Sequence, residues 1–384
     1  MSGGQVQVAQ AFARADDPDP MAALARGLGA GPFALVLLFL SPAADLPALA
    51  TRSVAVFPGT RVVGCTTSGE LTPGGYQSGS IVALGFPARH FAAEALVFTG
   101  LSRATGAGIA EAMQDARHRL AMDHGHLSAE FALLLVDGLS IREDELAAAL
   151  SAGAGAMPLV GGSAGDGTRF EQTFVLSQGQ LHRDAAVVCV LRGNCDLRPF
   201  SLDHLEPTEI RMVVTGADPA TRTVRRLNDE PAAAEYARLL GRTAECLDVT
   251  TFALNPLVVR VGTRHHVRAI QRVTAEGGFV FFSAIDEGVV LSLARPCDLA
   301  GHLEQALTAL DRPAKPLAIL AFDCILRRIE AEETQMAGRV ARILSGHRIA
   351  GFNTYGEQSG PLHLNQTITG LAFYPPGTLA AEEA

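Results

Sequence analysis

The 384-residue chain has no tryptophan, no Cys-x-x-Cys pair and no apolar run long enough to span a bilayer. Its six cysteines (Cys65, Cys189, Cys195, Cys246, Cys297 and Cys324) stand apart from one another. That spacing speaks against a zinc ribbon, thioredoxin-like chemistry and covalent haem attachment through Cys-x-x-Cys-His. The run over 33–40 has the length of a buried strand, and Pro42 ends it without a small-residue cleavage pattern. A cytoplasmic protein without a signal peptide is the expectation, and its thiols are expected to be reduced and mostly buried. Charged residues make up only 18% of the chain, the formal net charge is −9, and the basic residues are scattered. A nucleic-acid partner needs a basic face, so this composition speaks against one. No Gly-x-x-x-x-Gly-Lys-Ser/Thr phosphate loop occurs.

Apolar residues make up 48% of the chain, and there are 39 glycines. A chain of this length and composition can bury two cores. The most informative stretch is Gly351-Phe-Asn-Thr-Tyr-Gly-Glu357, which follows the apolar pair Ile349-Ala350. Far upstream, Gly64-Cys-Thr-Thr-Ser-Gly-Glu70 follows Val62-Val63 with the same Gly-x-x-Thr-x-Gly-Glu skeleton, and Gly161-Gly-Ser-Ala-Gly-Asp166 is a looser third copy. Glycines at this spacing let a backbone take positive φ and approach another group closely. The polar residues between them either line a cleft or cap tight strand-ending turns. Two copies near opposite ends of the chain suggest two related halves facing each other.

Strands are expected over 33–40, 61–66, 80–86, 93–98, 131–136, 185–192, 257–261, 266–272, 318–322, 349–352 and 367–373. Helices are expected over 105–122, 142–152, 231–240, 299–310 and 330–345, with a polar start before residue 20 and a tail from 375. Strands alternate with helices, but several strands follow one another directly. The expected class is therefore α/β with α+β character: mixed sheets flanked by helices, with an internal pseudo-repeat. A boundary is expected within 200–230.

These residues resemble the FIST-domain family, bacterial sensory modules built of an N-terminal and a C-terminal FIST half. The resemblance covers about 30–373 and rests on the three glycine turns. It is carried further by Val258-Val-Arg-Val-Gly, His265-His-Val-Arg-Ala-Ile-Gln, Phe281-Phe-Ser-Ala-Ile-Asp-Glu-Gly, Phe322-Asp-Cys-Ile-Leu-Arg-Arg and Leu362-His-Leu-Asn-Gln-Thr. These stretches look like the NosP subgroup, haem-binding nitric-oxide sensors, although Ser283 stands where that subgroup is expected to carry Cys. The resemblance implies domains over 30–225 and 226–374, haem b as cofactor and nitric oxide as signal. It also implies a histidine kinase or cyclic-di-GMP enzyme as partner, in two-component signalling of the kind that controls biofilm. The chain carries no kinase, receiver or GGDEF-like segment, so output is expected in trans. No membrane span is expected, and a homodimer is open.

A haem iron needs an axial donor, usually a neutral imidazole held by a second group. His204, flanked by Asp203 and Glu206 in a Pro-bearing loop, is the first candidate, and His363, just past the third turn, is the second. His265 and His266 are adjacent in an expected strand, so only one can face a pocket. A surface or hydrogen-bonded histidine is the plain alternative for each. Cys324 ends an apolar strand and is either an axial thiolate or an inert buried thiol. Arg268 could take a propionate or a ligand carboxylate, or pair with Asp286 or Glu287. Asn353, Tyr355 and Glu357 could serve a small polar ligand or cap a turn. Catalysis is not expected, since no triad is visible and Cys65, the best nucleophile candidate, has no histidine near it in sequence. The second reading is a haem-free module that captures a small metabolite such as an amino acid through Arg268. The third is a cysteine-dependent hydrolase or transferase using Cys65.

Overall fold

The computed structural model describes residues 8–379, and within them one order of elements recurs three times. The first repeat is β1 (Ala9–Arg14), α1 (Pro20–Leu28), β2 (Phe33–Leu40), α2 (Leu46–Val56), β3 (Arg61–Thr66), the hairpin β4 (Glu70–Thr72) and β5 (Gly75–Gln77), and β6 (Ser80–Pro87). The second is β7 (Phe91–Thr99), α3 (Gly106–Asp123), β8 (Ala129–Val136), α4 (Glu143–Ala154), β9 (Leu159–Ser163), the hairpin β10 (Val175–Ser177) and β11 (Gln180–His182), and β12 (Ala185–Gly193).

The third repeat opens with β13 (Asp196–Leu202) and is then interrupted. The insertion holds β14 (Leu205–Asp218), β15 (Thr223–Leu227), β16 (Glu230–Pro231), α5 (Ala232–Leu239), α6 (Val249–Leu254), β17 (Leu257–Val261), β18 (Arg264–Val267), β19 (Ile270–Val273), β20 (Phe279–Phe281) and β21 (Val290–Pro296). The repeat resumes with α7 (Leu299–Leu310), β22 (Ala318–Cys324), α8 (Ile325–Glu333), α9 (Ala337–Ser345), β23 (Ile349–Thr354), the hairpin β24 (Glu357–Ser359) and β25 (Leu362–Leu364), and β26 (Ile368–Tyr374).

Each repeat builds a mixed sheet of the same order: β1-β6-β2-β3, β7-β12-β8-β9 and β13-β26-β22-β23. The inner pairs β2–β3, β8–β9 and β22–β23 are parallel, each joined by a helical crossover. The short hairpins leave home. β4–β5 extends the third sheet, β24–β25 the second, and β10–β11 the first. The exchange is cyclic, so every repeat supplies an edge to one neighbour and receives one from the other. The internal repetition is thus threefold, and the protein is a mixed α/β fold of several sheets flanked by helices.

The three sheets turn one face toward a shared core. Leu35, Leu37 and Phe39 meet Phe131, Leu133 and Leu135, and these meet Leu320 and Phe322. The opposite faces carry Val36 and Leu38 under α1 and α2, Leu134 and Val136 under α3 and α4, and Ile319 and Ala321 under α7 and α9. Strands buried on both faces read as unbroken apolar runs, which is why 33–40 does.

The inserted sheet runs β18-β17-β21-β14-β15-β20-β19, with β16 beside β15. Tyr236 and Phe252 of its helices pack edge-on against Phe279, and a second apolar seam joins Val258, Val267 and Phe282 to Ile325, Leu326 and Ile329 of α8.

Local chemistry explains where the structure departs from the expected elements. The helix expected over 330–345 is two helices, broken at Gln335, which takes φ 60°. Residues 9–14, within the expected polar start, form β1. The strand expected over 266–272 is split between β18 and β19. The expected tail from 375 continues past the described residues. Among the described residues no helix is long and apolar enough to cross a membrane.

Candidate functional site

The parallel pairs end at one pole, where the three glycine turns meet. Gly64, Gly161 and Gly351 occupy the same place in their repeats, facing Leu38, Leu134 and Ala321 in register. A Cβ at any of them would strike the carbonyl oxygen of that facing residue. The turns then close into a ring through the backbone. Ser68 N donates to Asn353 O at 2.9 Å, Tyr355 N to Ser163 O at 3.2 Å, and Gly165 N to Thr66 O at 3.0 Å. Asn353 N also donates to Gly69 O at 2.7 Å, and Ser163 N to Gly356 O at 2.8 Å.

Carboxyl groups sit inside this ring. Thr67 Oγ1 donates to Glu70 at 2.5 Å, and Ser80 N donates to its other oxygen at 3.0 Å. Thr354 donates to Glu357 in the same way, while Thr367 N and Oγ1 hold the second oxygen at 3.2 and 2.8 Å. Burial outweighs these bonds and pushes Glu70 up to about 7 and Glu357 up to about 8. The second repeat differs. Its Asp166 accepts from the Tyr355 hydroxyl and from the N–H groups of Phe170, Glu171 and Gln172. Burial alone would raise this carboxyl, but the Tyr355 bond and the three N–H donors hold it below its usual range. The oxygens of Tyr355 and Glu357 are therefore spent on the turns. Of the three polar candidates in the third turn, Asn353 alone keeps a buried oxygen, Oδ1, without a partner.

The histidines fall into three different settings. His204, the first candidate for an iron, is 1% exposed and has both nitrogens engaged. Its Nδ1 faces Arg327 Nη1 at 2.7 Å, and its Nε2 lies 2.8 Å from both oxygens of Glu330. An arginine can only donate, so Nδ1 accepts and the proton sits on Nε2. Burial, then Arg327, drives this imidazole down to about 3, while burial pushes Glu330 up to about 7. Arg327 Nε also donates to Asp323 at 2.8 Å, and Tyr76 of the first repeat donates to Asp323 at 2.5 Å. His204 thus belongs to a buried polar chain tying two repeats together, and this arrangement corrects the expectation of an open ligand: its loop is not a presenting loop, and neither nitrogen is free for a metal.

His363 is buried, and Gln358 Nε2 lies 3.1 Å from its Nδ1. Its Nε2 has no partner and lies against the Cα of Gly356. His265 and His266 lie on β18 and both line an open cleft of about 490 Å³, which corrects the expectation that only one of them can face a pocket, because the cleft wraps the edge of the short β17–β18 hairpin. The walls of the cleft are the start of β14, the β17–β18 hairpin and the exchanged β24–β25 hairpin, including Leu205, Val258, Val267, Leu362 and Leu364. His266 is half-buried, and burial, then Arg268 and Arg264, lowers its affinity for a proton, leaving a neutral imidazole. Arg264 and Asp203 also line the cleft. Asn365, deeper in the wall and 1% exposed, donates from Nδ2 to Tyr355 O at 3.2 Å, while its Oδ1 has no partner. Asn365 lies within Leu362-His-Leu-Asn-Gln-Thr but carries no signal of its own in the sequence, because its orphaned oxygen is a product of burial.

Cys324 and Cys65 are fully buried, and burial raises both thiols well above the usual range. Neither is a ready thiolate. Cys65 lies in the shared core. Arg268 is half-buried, and its guanidinium donates to Val267 O at 3.2 Å. Neither Asp286 nor Glu287 pairs with it, since Glu287 accepts from Ala217 N and Asp286 from Glu287 N. Among the described residues Arg268 has no carboxylate within ion-pair distance. No three His, Cys, Asp or Glu side chains among them gather as a metal-binding group. The neutral imidazole of His266, the apolar walls and the Arg264 fork are a donor set that fits a haem.

The FIST N domain matches residues 34–230, more than half of the chain, and the FIST C domain matches residues 232–360. The junction falls inside the insertion. No curated protein matches the chain significantly.

Proposed function

Because the chain belongs to the FIST family, whose domains are sensory domains of signalling proteins, we propose that it is a haem-dependent nitric oxide sensor of the NosP kind. The observation that carries the reading is the place of His266: of the four candidate histidines, it combines partial burial, a neutral ring and an open cleft. When bound, haem b supplies an iron that takes up nitric oxide. His266 offers the imidazole nitrogen, and Leu205, Val258, Val267, Leu362 and Leu364 keep water from the flat apolar body. Arg264 meets a carboxylate at the rim through its fork.

Occupancy reaches the rest of the molecule through Asn365. That residue lines the cleft, its buried Oδ1 has no partner, and its amide holds the third turn at Tyr355. Tyr355 in turn holds the second repeat through Asp166. A change in the cleft thus shifts the cyclic exchange of hairpins and alters the grip on a histidine kinase or cyclic-di-GMP enzyme. Hydrogen exchange tests this. Adding haemin should protect residues 257–267 and 351–365, and nitric oxide should reverse part of that protection. Protection confined to other segments would contradict the reading.

One observation favours a second reading, the haem-free metabolite sensor. Arg268 is a half-buried cation with no carboxylate within ion-pair distance, and burial lowers its pKa although the charge of Asp144 offsets part of this. A half-buried guanidinium without a paired carboxylate is costly, and the carboxylate of a ligand such as an amino acid would relieve that cost. A thermal shift with amino acids, lost in Arg268→Gln and absent with haemin, would select this reading.

A further inference from the structure

The threefold order makes the junctions between neighbouring turns comparable, and two of them differ by one side chain. At the fifth position of the turns stand Ser68, Gly165 and Tyr355, each donating its backbone N–H to the next turn of the ring. At the junction of the second and third turns the Tyr355 side chain occupies the space. Its ring lies against the Cα of Gly138 and within 4.9 Å of Phe170 and 5.6 Å of Phe282, and its hydroxyl reaches Asp166 and Gly167 O. At the junction of the first and second turns the residue in Tyr355's place is Gly165, which has no side chain. The position of a Cβ on Gly165 is taken by the Ser68 hydroxyl, and beyond it lies an open cleft of about 310 Å³, lined among others by Pro42, Ala43, Ser68, Gly69, Gly167 and Arg169.

Two donors face this cleft without being used. Ser68 is 5% exposed, and its Oγ, packed against Gly165, has no partner. Arg169 spends its Nε on Asp166 O at 3.1 Å, and no hydrogen bond from its two Nη groups is found among the described residues. Of the acids in the same lining, Asp166 lies within ion-pair distance of Arg169, its Oδ2 4.0 Å from Nε, so the Arg169 charge is partly matched already while its two Nη groups stay open. Both oxygens of Glu70 and both of Asp166 already accept from the protein. A buried orphan hydroxyl and an open arginine fork are complementary to a carboxylate, and the rest of the cleft has the place of a tyrosyl ring.

We propose that this cleft is a second ligand site, for a small planar carboxylic acid whose ring takes the place that Tyr355 fills at the neighbouring junction. Its carboxylate is held by the Arg169 fork and the Ser68 hydroxyl. The site is separate from the His266 cleft and stands whether or not haem binds there.

The test is calorimetric titration of the full chain with benzoate, with benzamide as the uncharged counterpart. Benzoate should saturate one site, and benzamide should bind at least about tenfold more weakly, as a lost charge-assisted contact requires. Arg169→Gln should weaken benzoate by about tenfold or more, and Ser68→Ala by severalfold. Ser68→Ala removes a hydroxyl that bonds to nothing, so the variant should keep the parent melting temperature. His266→Ala should leave benzoate binding unchanged, which separates this site from the haem reading. No saturable benzoate binding in the millimolar range, equal binding of benzamide, or full affinity in Arg169→Gln would each overturn the proposal.

Discussion

The hydroxyl of Tyr355, in the third turn, donates to the carboxylate of Asp166, in the second, and so joins two repeats across 189 residues of sequence. The bond closes the polar side of a ring whose other links are backbone. Asp166 keeps three N–H donors without it, so removal should leave no bare charge. Tyr355→Phe should therefore cost about 2 kcal/mol, within the range for a hydrogen bond to a charged group. Urea denaturation at neutral pH measures this. A loss several times larger would mean that the phenol does more than close the ring.

The glycines that face neighbouring carbonyls should tolerate nothing else. A methyl group at position 351 must displace the Ala321 carbonyl, which is main chain in the middle of a parallel pair. Gly351→Ala should lose about 3 kcal/mol or more. Gly59→Ala is the comparison, because nothing stands within reach of a Cβ there although its φ is 71°. Its penalty should be smaller and confined to backbone strain. Thermal melts of the two variants give the contrast.

Glu357 makes stability depend on pH in an unusual direction. Its folded pKa of about 8 lies above the ordinary 4.5, so the folded protein holds a proton that the unfolded chain releases. The contribution is complete below pH 4.5 and is lost as pH rises through about 8. The melting temperature should fall between these limits. Glu357→Gln, which cannot ionise, should flatten that fall even if its absolute stability is lower. An unchanged slope would show that Glu357 ionises freely in the fold. His204 works in the acid window: its folded value of about 3 lies below the ordinary 6.5, so its share of stability is present above 6.5 and is lost as pH falls toward 3.

His204→Ala should destabilise without touching the ligand. It strips Arg327 of one partner and leaves Glu330 facing a void. Breaking a buried charged network in this way costs about 3 kcal/mol or more. Chemical denaturation measures the loss, and ligand affinity should stay within about twofold of the parent under folding conditions.

The fold and the site were legible to different degrees. The mixed α/β class, the inner strands and the glycine turns follow from apolar runs and glycine spacing, which are local. The exchanged hairpins β4–β5, β10–β11 and β24–β25 are three-residue strands with no periodicity of their own, and their pairing partners lie in other repeats. The third copy was legible only as a looser one, because its Glu position is Gly167 and its acid is Asp166, so the repetition read as two facing halves and not as three repeats. The histidines were ranked by flanking residues, which say nothing of burial. His204 looked presented because Asp203, Glu206 and Pro207 surround it. Its true partners, Arg327 and Glu330, lie more than a hundred residues on. His266 looked ordinary because the cleft beside it is built from three separate segments.

The most direct test of the sensory reading is a haemin titration followed by visible absorption, on the parent chain, His266→Ala and His204→Ala. The account predicts a stoichiometric Soret band in the parent that shifts when the reduced protein meets nitric oxide. The band should persist in His204→Ala and vanish, or weaken at least about tenfold in affinity, in His266→Ala. A Soret band that survives His266→Ala and is lost with His204→Ala, or no saturable band in the parent, would contradict it.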